Sequence, residues 1–252
     1  MRIAGIDPSI FSTGMVIMDL DDKLEVSSIK FRGYTTIEKY AIEEDNVKIA
    51  HIAPALKYDK MSMPHRMSLA YPLITEAMEG VQYAGIEDYA YSKLKKGSGS
   101  IVQVCEFCGG VRYALFQAGI GYLNYGIRQI KRYATGKGSN EDDEKMPMCL
   151  AFKARFPQYY PAAVFDKLRQ FESPMADLCD AFWMCEILHQ HLRYEQFGEE
   201  ALSEADLLFL TTTTTAGASS LADSSIIMKG VEYDRPKRKP RKRKKAETGP
   251  KT

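Results

Sequence analysis

The sequence predicts an α/β protein in which helices flank a mixed β-sheet, followed by a basic, disordered C-terminal arm. Three observations carry this expectation. Short apolar runs separated by turn residues open the chain as an antiparallel meander. Longer stretches with helical spacing then alternate with single strand-like runs, and from Thr211 the composition falls into low complexity and then into Lys, Arg and Pro.

Arg2 to Ile6 and Thr13 to Leu20 read as two strands joined through Asp7-Pro8-Ser9-Ile10-Phe11-Ser12, and Lys23 to Phe31 reads as a third after Asp21 and Asp22. Arg32 to Pro64 shows little period. Arg66 to Glu79 sets Met67, Leu69, Ala70, Leu73, Ile74, Ala77 and Met78 at helical spacing, and Gly80 ends that helix. Val81 to Tyr89 reads as a buried strand with Glu87 near its end. Gly97 to Gln117 reads as a helix with Ile101, Val104, Cys105, Cys108, Val111 and Leu115 along one side; its Gly109-Gly110 pair lowers helix propensity and marks a close approach by another backbone. Gly121 to Asn124 suits a strand, Gly126 to Tyr133 a short helix, and Glu141 to Phe156 a helix whose start Pro147 moves later. Ser173-Pro174 opens a helix running to about Tyr194. The expected folded domain is 1–197, with 198–252 a low-complexity linker and disordered arm, although Gly198 to Leu210 is readable as one further helix.

The 34 Lys and Arg nearly cancel the 33 Asp and Glu, but ten of the cations and one of the acids fall between Arg235 and Thr252. The body therefore carries about −8 and the tail about +9, an asymmetry suited to an arm that binds a polyanion. No apolar run approaches the ~18 residues of a membrane span, and Met1-Arg2-Ile3 leads straight into a strand rather than a signal peptide. Five Cys, an odd number in 252 residues, suit reduced thiols better than a disulfide framework. The expected location is the cytoplasm of a bacterium or phage host, or the nucleus of a eukaryotic host.

Four carboxylates stand out. Asp7 ends an apolar strand beside the turn closed by Ser12-Thr13-Gly14, and Ala84-Gly85-Ile86-Glu87 repeats that arrangement at a second strand end. Met175-Ala176-Asp177-Leu178-Cys179-Asp180-Ala181 then places two carboxylates three residues apart on one face of an otherwise apolar helix. Taken singly, Asp7 reads equally well as a turn cap, Glu87 as a solvated strand end, and the helical pair as a first turn favoured by the helix dipole. Together they can supply an all-oxygen site for two divalent cations, with Mg²⁺ or Mn²⁺ suiting such hard donors, and this is the arrangement that hydrolyses phosphodiesters. Cys105-x-x-Cys108 is half a zinc site without a second half, and His189 and His191 diverge on a helix and are expected to be exposed.

These residues resemble the RuvC-type Holliday junction resolvases of the RNase H-like nuclease superfamily. The matching pieces are Gly5-Ile6-Asp7-Pro8-Ser9 with Thr13-Gly14, Ile86-Glu87, Gln129-Ile130-Lys131 followed by Gly136-Lys137-Gly138, and Asp177-Leu178-Cys179-Asp180-Ala181. They lie in order across about residues 1 to 193. The resemblance implies an RNase H-like fold, two Mg²⁺ ions (Mn²⁺ substituting) held by Asp7, Glu87, Asp177 and Asp180, and basic residues Lys131 and Lys145 near the scissile phosphate. It also implies DNA contact at Lys137, a homodimer paired through the helix at Gly97 to Gln117, and branched DNA as substrate. The family inserts an aromatic side chain from the loop after the Glu; here Ala90 occupies that place between Tyr89 and Tyr91, and Tyr91 is the substitute. Arg32 to Pro64 is longer than the family pattern needs, and the arm has no counterpart in it. Both departures suggest a divergent, viral or phage-encoded member.

The arm packs nine cations into eleven positions: Arg235, Lys237, Arg238, Lys239, Arg241, Lys242, Arg243, Lys244 and Lys245. Such a segment binds phosphates by releasing counterions, and a nuclear-import signal is its rival reading. The expected activity is that of a metal-dependent endonuclease acting on four-way or branched DNA. Alternatives are cleavage of RNA–DNA hybrids or forks, an actin-like or sugar-kinase-like ATPase built on the same first hairpin, and a DNA-binding protein without catalysis.

Overall fold

A computed structural model describes residues 1–88, 99–137, 146–165, 167–168 and 172–212. The chain opens with β1 (Arg2–Asp7), β2 (Ser12–Leu20) and β3 (Val26–Thr35), followed by β4 (Ile42–Glu44), β5 (Val47–His51), α1 (Ala55–Asp59) and α2 (Met63–Ala77). Then come β6 (Tyr83–Glu87), α3 (Gly99–Gln117), β7 (Gly121–Tyr125), α4 (Ile127–Thr135), α5 (Met146–Arg155), α6 (Ala162–Phe165), α7 (Met175–Phe197) and α8 (Glu204–Thr212). The seven strands among the described residues form one mixed sheet in the order β4-β5-β3-β2-β1-β6-β7, flanked by helices as the sequence leads one to expect. β1 and β2, and β2 and β3, pair antiparallel, whereas β6 runs parallel to both β1 and β7.

The period-2 alternation of β1 explains how one sheet serves two cores. Ala4 and Ile6 point to the side covered by α2 and α3, with Met15, Ile17, Phe107, Val111 and Leu115. Ile3 points to the other side, where α7 lies against β1 and β2 with α4, α5 and α8 outside it. Because α7 is covered on both sides, nearly every residue from Met175 to Leu192 is buried. His189 and His191, expected at the surface, are therefore 4% and 0% exposed. The divergence of their side chains holds, but both directions lead into protein. Many of the aromatic residues fill this layer, with Phe152 stacked on Phe182 at 3.8 Å and Trp183 Nε1 donating to Met148 O at 3.1 Å.

The segment without clear period is where the structure adds most to the sequence reading. β3 continues to Thr35, and β5 lies parallel to it with Phe31 opposite Val47 and Thr35 opposite His51. β5 presents only two inward apolar residues, Val47 and Ile49, too few to register as a pattern. The close approach expected at Gly109-Gly110 is made at Gly110 by a side chain, the Tyr71 ring of α2. The folded unit also continues past residue 197, the boundary read from sequence. α8 buries Phe209 and Leu210 in the α7 layer, and Tyr133 Oη donates to Asp206 Oδ1 at 2.8 Å. The arm from Arg235 lies outside the described residues. Among the described residues, no helix is long and apolar enough to cross a membrane.

Candidate active site

Parallel register brings the first two carboxylates together. Ile6 of β1 stands opposite Ile86 of β6, so Asp7 and Glu87, the last residues of two adjacent strands, leave the sheet side by side. The turn after Asp7 is held by its own side chains. Thr13 Oγ1 accepts from Ser9 N at 3.1 Å and donates to Ser9 O at 2.9 Å, and Tyr34 Oη donates to the same carbonyl at 2.6 Å. Beyond Glu87, Asp88 N donates to Tyr125 O at 2.8 Å.

Glycine brings the second pair in. Gly14 pairs with Asp7 across the β1–β2 hairpin, and a Cβ there would overlap the backbone of Asp177 and be 2.6 Å from Leu178 N. At Gly5 a Cβ would overlap Ala181 O and lie 2.5 Å from Cys185 N. Only a residue without a side chain lets α7 lie this close to the sheet, and this contact carries Asp177 and Asp180 to the strand ends. Asp177 is 3% exposed, lies in the first turn of α7, and accepts from Ser173 Oγ at 2.8 Å. The positive end of the helix dipole offsets part of the crowding of negative charge there.

The electrostatics register the convergence. Burial first, then the charges of Glu87, Asp177 and Asp180, hold the Asp7 carboxyl's proton affinity well above that of an ordinary aspartate, and Asp7 hydrogen-bonds to the Glu87 side chain. As the side chains stand, no group of three or more His, Cys, Asp or Glu among the described residues closes around one ion. The donor set nonetheless fits a hard divalent cation. It is all carboxylate oxygen, and a cation there would relieve the repulsion that raises the proton affinity of Asp7.

The remaining sites read from the sequence are more scattered. Lys131 is 6% exposed on α4, which packs on α7, and Lys137 is exposed just past the end of α4. Lys145, Tyr91 with Tyr89 and Ala90, and the cations from Arg235 to Lys245 lie outside the described residues. Two residues of α3 reach the strand ends, Cys108, read from sequence only as part of the apolar stripe and half a zinc site, and Arg112, which the sequence reading did not single out. Cys108 Sγ donates to Pro8 O at 3.7 Å, and Arg112 Nη2 donates to Glu87 O at 2.6 Å. The available signal was a lone arginine beside an apolar helical stripe, next to Val111.

No protein-family model and no curated protein matches the chain. Among solved structures it is similar to RuvC of Thermus thermophilus, at 19% identity and a TM-score of 0.45 over 79% of this chain and 97% of that one. The same organism's RuvC in complex with a Holliday junction substrate aligns at 17% identity and a TM-score of 0.48, over 79% and 96%. A Fowlpox virus resolvase in complex with substrate Holliday junction DNA aligns at 15% identity and 0.41, over 76% and 99%. At these values the likeness carries no activity across, and the function must be argued from the site.

Proposed function

We propose that this chain is a metal-dependent endonuclease that hydrolyses phosphodiester bonds in four-way or otherwise branched DNA. One observation carries the reading: Asp7 and Glu87 at adjacent strand ends share a single electrostatic field with Asp177 and Asp180 at the start of α7. A protein has little structural reason to gather four acidic side chains at one place and bury two of them, Asp7 and Asp177, whereas a site for divalent cations requires such a gathering.

Asp7, Glu87, Asp177 and Asp180 would hold two Mg²⁺ ions, or Mn²⁺ in their place. When bound, such ions activate a water and stabilise the departing 3′ oxygen. The chain's own part is positional. The Ser9–Thr13–Tyr34 bonds hold the Asp7 turn, and Gly14 lets α7 bring its carboxylates to the strand ends. Lys131, Lys137 and Lys145 supply positive charge toward the DNA backbone, Tyr91 meets the bases at the branch point, and the arm from Arg235 to Lys245 adds contact with phosphates. Two copies pair as a homodimer, a reading that α3 supports by leaving Val102 68% and Tyr113 65% exposed.

Cleavage of a synthetic four-way junction in Mg²⁺ by the intact chain and by Asp7→Asn tests the proposal. The variant should still bind the junction and should lose cutting by about a thousandfold or more. Equal cutting by both proteins, or ATP hydrolysis without nicking, refutes it. Preferential cutting of an RNA–DNA hybrid or a fork reassigns the substrate but not the chemistry. Deleting Arg235 to Lys245 should flatten the slope of log affinity against log salt, by about 0.9 for each phosphate the arm neutralises.

A further inference from the structure

Helix α3 reaches both strand ends with two side chains one turn apart. Cys108 and Arg112 share a helix face at i and i+4 and are 7% and 8% exposed. Cys108 Sγ donates to Pro8 O, the carbonyl just after Asp7. Arg112 Nη2 donates to the carbonyl of Glu87 itself at 2.6 Å and lies 3.5 Å from Asp88 Oδ1. The peptide that follows Glu87 is thus held on two sides, since its carbonyl is bound by α3 and its N–H, on Asp88, is bound by Tyr125 O of β7. A residue whose outgoing peptide is fixed in this way has a set Cα–Cβ direction, and from there the Glu87 side chain hydrogen-bonds to Asp7.

We infer that Arg112 is a positioning residue: acting through the Glu87 carbonyl, it sets how far the Glu87 carboxylate stands from Asp7 and hence how tightly the acidic centre takes a divalent cation. Cys108 holds the Asp7 side of the same pair with a weaker donor. The inference rests on the proposed reading of this centre as a cation site. A guanidinium suits the role because its planar, always charged group holds Nη2 in place, where that one nitrogen donates to the Glu87 carbonyl and reaches the Asp88 carboxylate, a fixed placement that a flexible lysine ammonium does not share. Groups of this kind, one bond removed from the ligands, typically govern metal affinity by about 10- to 100-fold.

The test uses the full chain as wild type, Arg112→Ala, Arg112→Lys and Cys108→Ala. Mn²⁺ binding is followed by electron paramagnetic resonance without DNA, and junction binding is measured in chelator. Arg112→Ala should weaken Mn²⁺ binding and raise the Mg²⁺ needed for half-maximal cutting by about 10- to 100-fold, with junction binding kept within about twofold. Millimolar guanidinium should restore part of the Mn²⁺ affinity of Arg112→Ala and do nothing for wild type. Cys108→Ala should move Mn²⁺ affinity in the same direction, by less. Wild-type Mn²⁺ affinity in Arg112→Ala, or a loss that guanidinium leaves unchanged and that follows a fall in melting temperature, overturns the inference. If Arg112→Ala does not fold, Arg112→Lys decides: a weakening of about threefold or more supports the role, and wild-type affinity ends it. A wild type that binds Mn²⁺ yet cuts no branched DNA refutes the proposed activity and leaves Arg112 to the Mn²⁺ titration. A wild type that binds no Mn²⁺ refutes both.

Discussion

At its N-terminal end α7 contributes Asp177 and Asp180 to a centre where carboxylates face one another; two to three turns further on it buries Glu186, His189, Gln190 and His191 in protein. In the second group hydrogen-bond donors on the same helix hold the acid. Gln190 Nε2 donates to Glu186 Oε1 at 2.7 Å, and His189 Nδ1 lies 3.4 Å from Glu186 Oε2. His189 Nε2 donates to the Leu24 carbonyl at 2.7 Å, so it carries a hydrogen, and Nδ1 is left facing the carboxylate, where the proton it gains at low pH would sit. Burial works against that charge, but the hydrogen bond and charge of Glu186 and the Leu24 carbonyl outweigh it and raise the His189 pKa. The contrast separates two uses of a buried acid. One held by hydrogen-bond donors steadies a helix against a strand turn, whereas acids gathered at one place raise each other's proton affinity.

Gly5→Ala should break the comparison outright. Its methyl group would meet the backbone of α7 between the two clusters, so the helix would have to lift away from the sheet. We expect a loss of about 3 kcal/mol or more in urea unfolding, and a loss under ~0.5 kcal/mol would show that the contact yields easily. Glu186→Ala should cost about 2 kcal/mol by stranding the His189 and Gln190 donors. Asp7→Asn should do the reverse and add about 1 kcal/mol to the metal-free chain by removing one of four crowded acids. In the same melting experiment Mg²⁺ should raise the melting temperature of wild type more than that of Asp7→Asn. A variant less stable than wild type without metal would contradict the assignment of strain to this centre.

The smallest effect is a pH dependence. Because the folded pKa of His189 lies above its unfolded value of about 6.5, its contribution to stability is complete below that value and is lost as pH rises through the folded one. Glu186→Gln should flatten this part of the stability profile above pH 6.5, and an unchanged profile would place the proton elsewhere.

Much of the candidate site was legible because its pieces are local. An Asp or Glu after an apolar strand containing glycine, and an Asp-x-x-Asp at the start of an apolar helix, are patterns of a few residues each. β5 was not legible, since two inward residues make no period, and its place follows from pairing with β3. Nor was the environment of His189 and His191. Helical spacing says which way they point relative to each other, but not that α4, α5 and α8 cover the side of α7 that faces away from the sheet. A helix over Gly198 to Leu210 was readable, but its packing into the α7 layer was not, because Phe209 and Leu210 adjoin a run of threonines whose composition suggests a linker.

The sequence by itself determined the α/β class, the strand-end positions of Asp7 and Glu87, and the helical spacing of Asp177 and Asp180, because these depend on backbone periods of two and 3.6 residues. Tertiary structure alone decided that the four acids share one field, that Arg112 holds the Glu87 carbonyl and that both histidines are buried. Each of these is a contact between elements distant along the chain, and its strength depends on distance and exclusion of water, which take values only when the layers pack.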